Sequence, residues 1–175
     1  MKLYIDSIKD KRFGFIYFAV SDRGLRYISF GKYSGLSQIL EHACKHNLTT
    51  SKNLQMTKDI KKQLREFFQG KKKSFKLNLD IGYLPAFKQK VLKECKKISY
   101  GKTTTYGHLA KKAGSPKAAR AVGQIMAANP ISIVIPCHRV VGSDGRLTGY
   151  GGGIDMKKRL LAMEGVEIKR ERVVG

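Results

Sequence analysis

The sequence predicts an α/β chain in two parts: a small N-terminal α/β unit followed by a mainly α unit with a helix-turn-helix. Three observations predict it. The chain opens with three β-prone runs around a tight turn, then two stretches of helical periodicity. Two short helical runs then flank Gly114-Ser115-Pro116. Last, an apolar run, Ile131-Ser132-Ile133-Val134-Ile135, leads into Pro136-Cys137-His138-Arg139-Val140.

Along the first part, Lys2–Ile8, Gly14–Val20 and Leu25–Phe30 have strand character, and Ser21-Asp22-Arg23-Gly24 supplies a hairpin turn. Gly35–His46 and Thr57–Gln69 have helical periodicity, the second closed by Gly70. Ser74–Leu79 reads as one more short strand, and a boundary is expected near Ile81–Pro85. Phe87–Ile98 is an amphipathic helix. Thr104 or Thr105 can cap a short helix running to about Ala113, which Gly114 ends. Ser115 is placed to cap the next helix, Pro116–Ala128, with Pro116 in its first position. Gly142-Ser143-Asp144-Gly145 reads as a tight turn. Gly149-Tyr150-Gly151-Gly152-Gly153 reads as a loop whose bare backbone could lie against a planar ligand, or as a simple linker into a last helix, Asp155–Glu164.

The 175 residues suit one ordinary domain or two small ones, and 42% hydrophobic content is enough for a core. A formal net charge of +22 points to a polyanionic partner, most simply nucleic acid, although a lysine-rich, merely soluble surface has the same composition. Lys71-Lys72-Lys73 reads as a solvated turn. The three cysteines, Cys44, Cys95 and Cys137, are odd in number and form no Cys-x-x-Cys pair. Neither a disulfide framework nor a zinc ribbon is suggested, and a reducing cytoplasm is expected. Cys44 and Cys95 fall in apolar stripes and read as helix core. His42 and His46 lie one helical turn apart but lack a third metal ligand, so exposed surface histidines are expected. Met1-Lys2-Leu3 opens straight into a strand-like run without the pattern of a signal peptide, and no apolar stretch is long enough to span a membrane.

Cys137 and His138 carry the chemistry. A thiol is a strong nucleophile only as thiolate, and histidine is the usual base that makes one. Neighbouring side chains on an extended strand point to opposite faces, so direct contact needs a turn after Pro136; otherwise a water relays the proton. The predicted second helix of the helix-turn-helix presents Ala119, Arg120, Gly123 and Ala127 on one face. A major-groove reading helix carries long polar side chains. A bare face with one arginine suits close approach to a minor groove, although an alanine-rich core helix reads the same way.

Together, the stretches Gly101–Ala110, Pro116–Gly123, Asn129-Pro130, Ile133–Val141, Gly149–Gly153 and Leu160–Gly165 resemble the O6-alkylguanine-DNA alkyltransferases. The resemblance covers Phe87 to about Val166; the N-terminal part matches in size and element order. It implies an RNase-H-like α/β domain over residues 1–82 and a DNA-binding winged helix-turn-helix domain over 83–175. The implied partner is double-stranded DNA containing O6-alkylguanine, bound through the minor groove, with the base flipped and its alkyl group moved irreversibly to the protein. No cofactor, metal, membrane or obligate protein partner is implied.

By position, the resemblance makes Cys137 the alkyl acceptor, His138 its base through a water, Glu164 the residue that orients His138, and Asn129 a brace for the turn. Tyr106 crowds the target phosphate and donates a proton to guanine N3, and Arg120 fills the gap left by the flipped base. The Val140 backbone faces the guanine amino group, and Tyr150 and Gly151 line the pocket. Thr105, Ser115, Ala119 and Gly123 complete the implied DNA-binding set. Two departures stand out: Gly151 where members often have serine, and Gln124 where they often have a second glycine. The competing expectations are a non-catalytic alkylation-damage binder, in which a tryptophan replaces the acceptor cysteine, a winged-helix regulator, and a cysteine hydrolase.

Overall fold

The computed structural model describes residues 1–31 and 34–174 and divides into two compact units. The first contains Met1–Tyr83 and Pro130–Ser132; the second contains Leu84–Asn129 and Ile133–Gly175.

In the first unit, β1 (Lys2–Asp10), β2 (Gly14–Ser21) and β3 (Gly24–Phe30) form an antiparallel meander. A short strand that the sequence did not signal, β4 (Thr49–Ser51), adds parallel to β1, giving the order β3-β2-β1-β4. Helix α1 (Ser34–Lys45) packs Ile39 and Ala43 on Leu3 and Ala19. Helix α2 (Leu54–Phe68) lies on the opposite face, because Asp6, adjacent to Ile5, receives Thr57 Oγ1 at 3.0 Å and Lys61 Nζ at 2.7 Å. Asn53 caps α2 by accepting from the amides of Gln55 and Met56, so the helix starts three residues before the predicted Thr57.

Four expectations for this unit are corrected. Ser74–Leu79 is not a strand: only Leu79 bridges, to Leu25, held by the Leu25 and Asp80 amides. That close approach depends on Gly24, where a Cβ would lie 2.3 Å from the Asn78 carbonyl oxygen. Ile131–Ile135 is likewise a bridge and a turn rather than a strand, with Ile133 at φ 75°. Cys44 is exposed, on the side of α1 away from Ile39 and Ala43. His42 and His46 are only partly exposed and join an aromatic cluster with Tyr27 and Tyr83.

At the centre of that cluster Arg26 is buried. It pairs with Asp80 at 2.7 Å, stacks 3.7 Å over the Tyr83 ring, and donates from Nε to His42 Nε2 at 3.2 Å. Ser21 Oγ gives Asp80 a second donor at 2.7 Å.

The second unit begins with α3 (Ala86–Lys96), whose Val91, Leu92 and Cys95 are buried. The helix-turn-helix is α4 (Tyr106–Lys112) and α5 (Ala119–Ala127). Thr105 caps α4 through the His108 amide at 3.1 Å, and Gly114 follows its end at φ 82°. Helix α5 begins later than predicted: Ser115–Ala118 is a turn closed by the Ala118 amide on the Ser115 carbonyl, and the cap position is Ala118. Ser115 therefore acts through its backbone and does not cap. Strand β5 (Thr104–Thr105) pairs in parallel with β6 (Val140–Val141), and a hairpin of β7 (Ile168–Lys169) and β8 (Arg172–Val173) follows α6 (Ile154–Met163). A small core of Val141, Leu147 and Leu161 ties these pieces together. Among the described residues no helix is long and apolar enough to cross a membrane.

The Arg26 network predicts an acid-sensitive first unit. Burial, followed by the fields of His46 and Arg26, lowers His42 from 6.5 to about 4. The unfolded chain then binds the extra proton between those values, so stability falls as pH drops below about 6.5 and levels off below about 4. His42→Gln keeps an acceptor for Arg26 without the titration. The wild type should lose thermal stability relative to this variant across that window, measured as melting temperature against pH. Equal slopes for the two proteins would overturn the assignment.

Candidate active site

Pro136 ends the approach and the chain turns at once into one 3₁₀ turn, Cys137–Arg139. The Cys137 amide bonds the Ile135 carbonyl, and the Cys137 carbonyl receives the Val140 amide. A turn does follow Pro136, yet neither ring nitrogen of His138 bonds Cys137: Nε2 meets Glu164 and Nδ1 has no partner among the described residues. Cys137 is 2% exposed. Asn129, directly after the helix-turn-helix, donates from Nδ2 to the Ile135 carbonyl at 2.8 Å and to Cys137 Sγ at 3.1 Å. One side chain thus holds the turn and touches the thiol.

His138 is completely buried, with Nε2 2.9 Å from Glu164 Oε1. Burial lowers its pKa from 6.5, and Glu164 only partly opposes that, so the ring is neutral near pH 7. Nδ1 has no hydrogen-bond partner among the described residues. With a carboxylate on Nε2, the Nε2–H tautomer is favoured and Nδ1 is left as a base.

Glu164 does more than orient the histidine. Arg139 grips it with two bonds, Nε to Oε2 at 2.9 Å and Nη2 to Oε1 at 2.8 Å. The Gly101 amide adds a third donor at 3.0 Å. Burial alone would raise the Glu164 pKa, but the His138 and Arg139 bonds outweigh it and bring it down to about 2. Sequence reasoning missed Arg139. Its signal was a charged residue inside the buried run Cys137–Val141.

Tyr106, the first residue of α4, donates from its hydroxyl to the Thr148 carbonyl at 2.7 Å. Burial raises its pKa, so the phenol keeps its proton at neutral pH. The glycine loop closes around it. Gly149 has φ 58°, and a Cβ there would lie 3.1 Å from the Tyr106 hydroxyl. At Gly151 a Cβ would meet the Ala127 carbonyl oxygen at 2.6 Å, so no side chain fits without moving backbone. Close approach to α5 therefore accounts for glycine at that position. Tyr150 is buried.

The site residues named from sequence fall into three groups. Cys137, His138, Glu164 and Asn129 are joined by hydrogen bonds around one turn. Tyr106 sits against the Thr148–Gly149 backbone, while β5 carries Thr105 beside Val141 and Thr104 beside Val140. Ala119, Arg120 and Gly123 lie on α5, with Arg120 exposed and Val122 and Met126 buried. Ser115 lies in the turn before them. A second residue missed from sequence is Lys157 on α6, buried in a stripe with Leu160 and Leu161. Among the described residues no cluster of three or more His, Cys, Asp or Glu could hold a metal ion.

Comparison with known proteins finds matches over both units. Residues 86–166 match the family model of the 6-O-methylguanine DNA methyltransferase DNA-binding domain, and residues 6–81 match that of its ribonuclease-like domain. A methylated-DNA–protein-cysteine methyltransferase of Methanosarcina acetivorans is 38% identical over 162 residues, 91% of this chain and 97% of its own. One from Mycolicibacterium paratuberculosis is 48% identical over 102 residues, 58% of this chain and 61% of its own. The fold superposes on the crystal structure of Mycobacterium tuberculosis O6-methylguanine methyltransferase with a TM-score of 0.76 at 36% identity, covering 93% of this chain and 92% of that one. The crystal structure of Mycobacterium tuberculosis OGT in complex with DNA superposes with a TM-score of 0.76 at 34% identity, covering 92% of each chain. With its ribonuclease-like and DNA-binding parts both matched, this chain belongs to the 6-O-methylguanine DNA methyltransferase family.

Proposed function

We propose that this protein repairs DNA by direct reversal, taking the alkyl group of O6-alkylguanine onto Cys137 in a single turnover. The observation that carries the reading is the buried Cys137 thiol, touched by Asn129 and followed by a histidine whose far nitrogen is fixed on Glu164. His138 Nδ1 accepts the thiol proton through a water. The thiolate attacks the alkyl carbon, the S–C bond forms, and the C–O6 bond breaks with its electron pair left on the purine. A proton delivered to N3 by Tyr106 neutralises that charge, the kind of assistance that lowers such a barrier by about 10²–10⁴-fold in rate. The stable thioether leaves no route back to thiol, so each molecule acts once.

Duplex DNA containing the damaged guanine is the partner in this reading, met through the minor groove by α5. Arg120 projects from a face of small residues, Ala119 and Gly123, that lets the backbone approach closely. Its planar cation replaces the stacking lost when the base leaves, which offsets part of an extraction cost of a few kcal/mol. Thr105 at the start of α4 and Ser115 in the turn before α5 complete the DNA-binding set in this reading, and Tyr106 crowds the phosphate of the target nucleotide. The Val140 backbone reads the guanine amino group, and Tyr150 and Gly151 line the pocket. Residues 1–82 form the α/β domain and 83–175 the domain that binds DNA and accepts the alkyl group, working without a cofactor in a reducing cytoplasm. The cysteine at position 137 sets this protein apart from damage binders that lack an acceptor.

Cys137→Ala should abolish transfer while leaving DNA binding intact, because phosphate contacts dominate affinity. Wild-type protein given DNA with a labelled O6-methyl group should gain one label per molecule, by mass, and then be inert. Repeated turnover would point to a hydrolase.

Arg120→Ala should slow repair of duplex DNA at least tenfold more than transfer from free O6-benzylguanine, which needs no flipping. Single-turnover rates on the two substrates measure this, and equal slowing would remove Arg120 from the flipping step.

Glu164→Gln should lower the unfolding free energy by about 3–5 kcal/mol, since Arg139 keeps a buried charge and loses its partner. Urea unfolding reads that loss. Transfer by the folded protein should also slow near pH 7, where His138 is no longer held as a base; an unchanged rate would free His138 of that role.

A further inference from the structure

The charge of the first unit has no part in the transfer chemistry. Residues 1–82 carry 17 of the 35 lysines and arginines against 7 of the 13 acids, yet the helix-turn-helix, Cys137 and the glycine loop all belong to the second unit. Within the first unit the surplus gathers at one end. The β1–β2 turn, with Lys11 and Arg12, is held against the C-terminal end of α2: Arg12 Nη2 donates to the Phe68 carbonyl, and the Phe13 ring lies 5.2 Å from that of Phe68. The exposed stripe of α2, Lys58, Lys62 and Arg65, runs toward the same end, opposite the buried Ile60, Leu64 and Phe67. Lys71-Lys72-Lys73 follows directly.

That lysine run is more than the solvated turn its composition suggests. Gly70 redirects the chain at φ 74°, and the Lys71 amide bonds the Glu66 carbonyl at 2.9 Å. The buried Gln63 holds both backbone groups of Lys76, accepting from its amide at 3.0 Å and donating to its carbonyl at 3.1 Å. The Phe75 ring lies 5.0 Å from that of Phe67. The lysines are therefore presented on a backbone fixed at both ends, which cuts the ordering cost of binding. The carboxylates here are Asp10, 3.5 Å from Arg12, and Glu66, which Lys62 and Lys72 share at 4.0 and 3.8 Å. Lys11, Arg65 and Lys71 have no carboxylate partner among the described residues.

The rest of the surface chemistry selects the partner. The large exposed apolar side chains of this unit, Met1, Leu36, Leu40, Leu54 and Met56, lie at the chain start, on α1 and at the start of α2, away from the patch. A lipid-inserting face or a protein-binding hot spot needs such side chains within it. The aromatic rings Phe13, Phe67 and Phe68 are buried, so they offer no platform on which single-stranded bases could stack. Fixed positive charge alone is left, and that is the chemistry of contact with duplex phosphates. We propose that the first unit carries a DNA surface of its own, formed by the β1–β2 turn, the exposed stripe of α2 and the lysine run after it. It grips the phosphate backbone without regard to sequence, adds non-specific affinity, and takes no part in the chemistry at Cys137. This rests on the reading of duplex DNA as the partner.

The test compares the full chain with a triple variant, Lys11→Gln, Arg65→Gln and Lys71→Gln, and with a control triple, Lys2→Gln, Arg23→Gln and Lys52→Gln. The control removes the same charge from exposed residues of the same unit, but at the other end of β1, roughly 25 Å away. Affinity for a short undamaged duplex is measured from about 50 to 200 mM salt. The patch variant should flatten the plot of log affinity against log salt by about two to three in slope, the loss expected for three phosphate contacts. The control should change it by less than one. Its transfer rate from free O6-benzylguanine should show the patch variant to be as active as the wild type. An unchanged slope in the patch variant, or equal flattening by both triples, would overturn the proposal, the second because net charge and not the patch would then set affinity. A slowed reaction with the free base would also overturn it, because the patch would then act through the fold. No binding of the duplex by the wild type would instead overturn the reading of DNA as the partner, and this surface with it.

Discussion

Much of the second unit is organised by one buried carboxylate. Glu164 lies just beyond the last turn of α6, and its two oxygens receive His138, Arg139 and the Gly101 amide. Arg139 extends the connection from Nη1 to the Ile98 carbonyl at 2.5 Å. Three stretches distant in sequence therefore meet around one charge: residues 98–101 between α3 and β5, the 3₁₀ turn, and the end of α6. Breaking a buried pair costs far more than an exposed one, because a desolvated charge is left uncompensated. The same charge fixes which imidazole nitrogen is available, so the constraint that holds the turn also sets its acid–base chemistry.

The second constraint is close backbone approach. Gly151 lies against the Ala127 carbonyl, and Gly149 lies against the Tyr106 hydroxyl. Any side chain at Gly151 would push the loop off α5. The loop carbonyls are then free to serve as acceptors, and Thr148 is used twice, by Tyr106 and Lys157. A glycine run that could have been a plain linker is instead a closely packed wall, and its composition follows from the distances.

The first unit depends on a different buried charge, Arg26, held by Asp80, His42 and the Tyr83 ring. There the balance needs a neutral histidine, which makes the network sensitive to acid. In the second unit the balance needs an ionised glutamate, which stays charged at any pH near neutral. Two units of similar size thus meet the cost of a buried guanidinium in different ways.

The sequence by itself determined the local elements and the chemistry of single positions. Period and turn residues placed the β1–β3 meander and the α1 and α2 helices and narrowed the α4 cap to Thr104 or Thr105, because these depend on neighbours within a few residues. The Pro-Cys-His run marked the nucleophile, because thiol and imidazole chemistry travels with the residue type. Tertiary structure decided the rest. Ile131–Ile135 has the apolar content of a strand, yet a turn at Ile133 redirects it toward the 3₁₀ turn. Ser74–Leu79 found only one bridge, and Thr49–Ser51, with no apolar pattern, paired with β1. Ser115 precedes a proline yet caps nothing, because α5 begins at Ala119. Arg139 and Lys157 have no role assigned from sequence; it is the fold that buries them against Glu164 and two carbonyls. A charged side chain's environment is set by residues far away in the chain, and periodicity, which reports only local neighbours, carries no record of them.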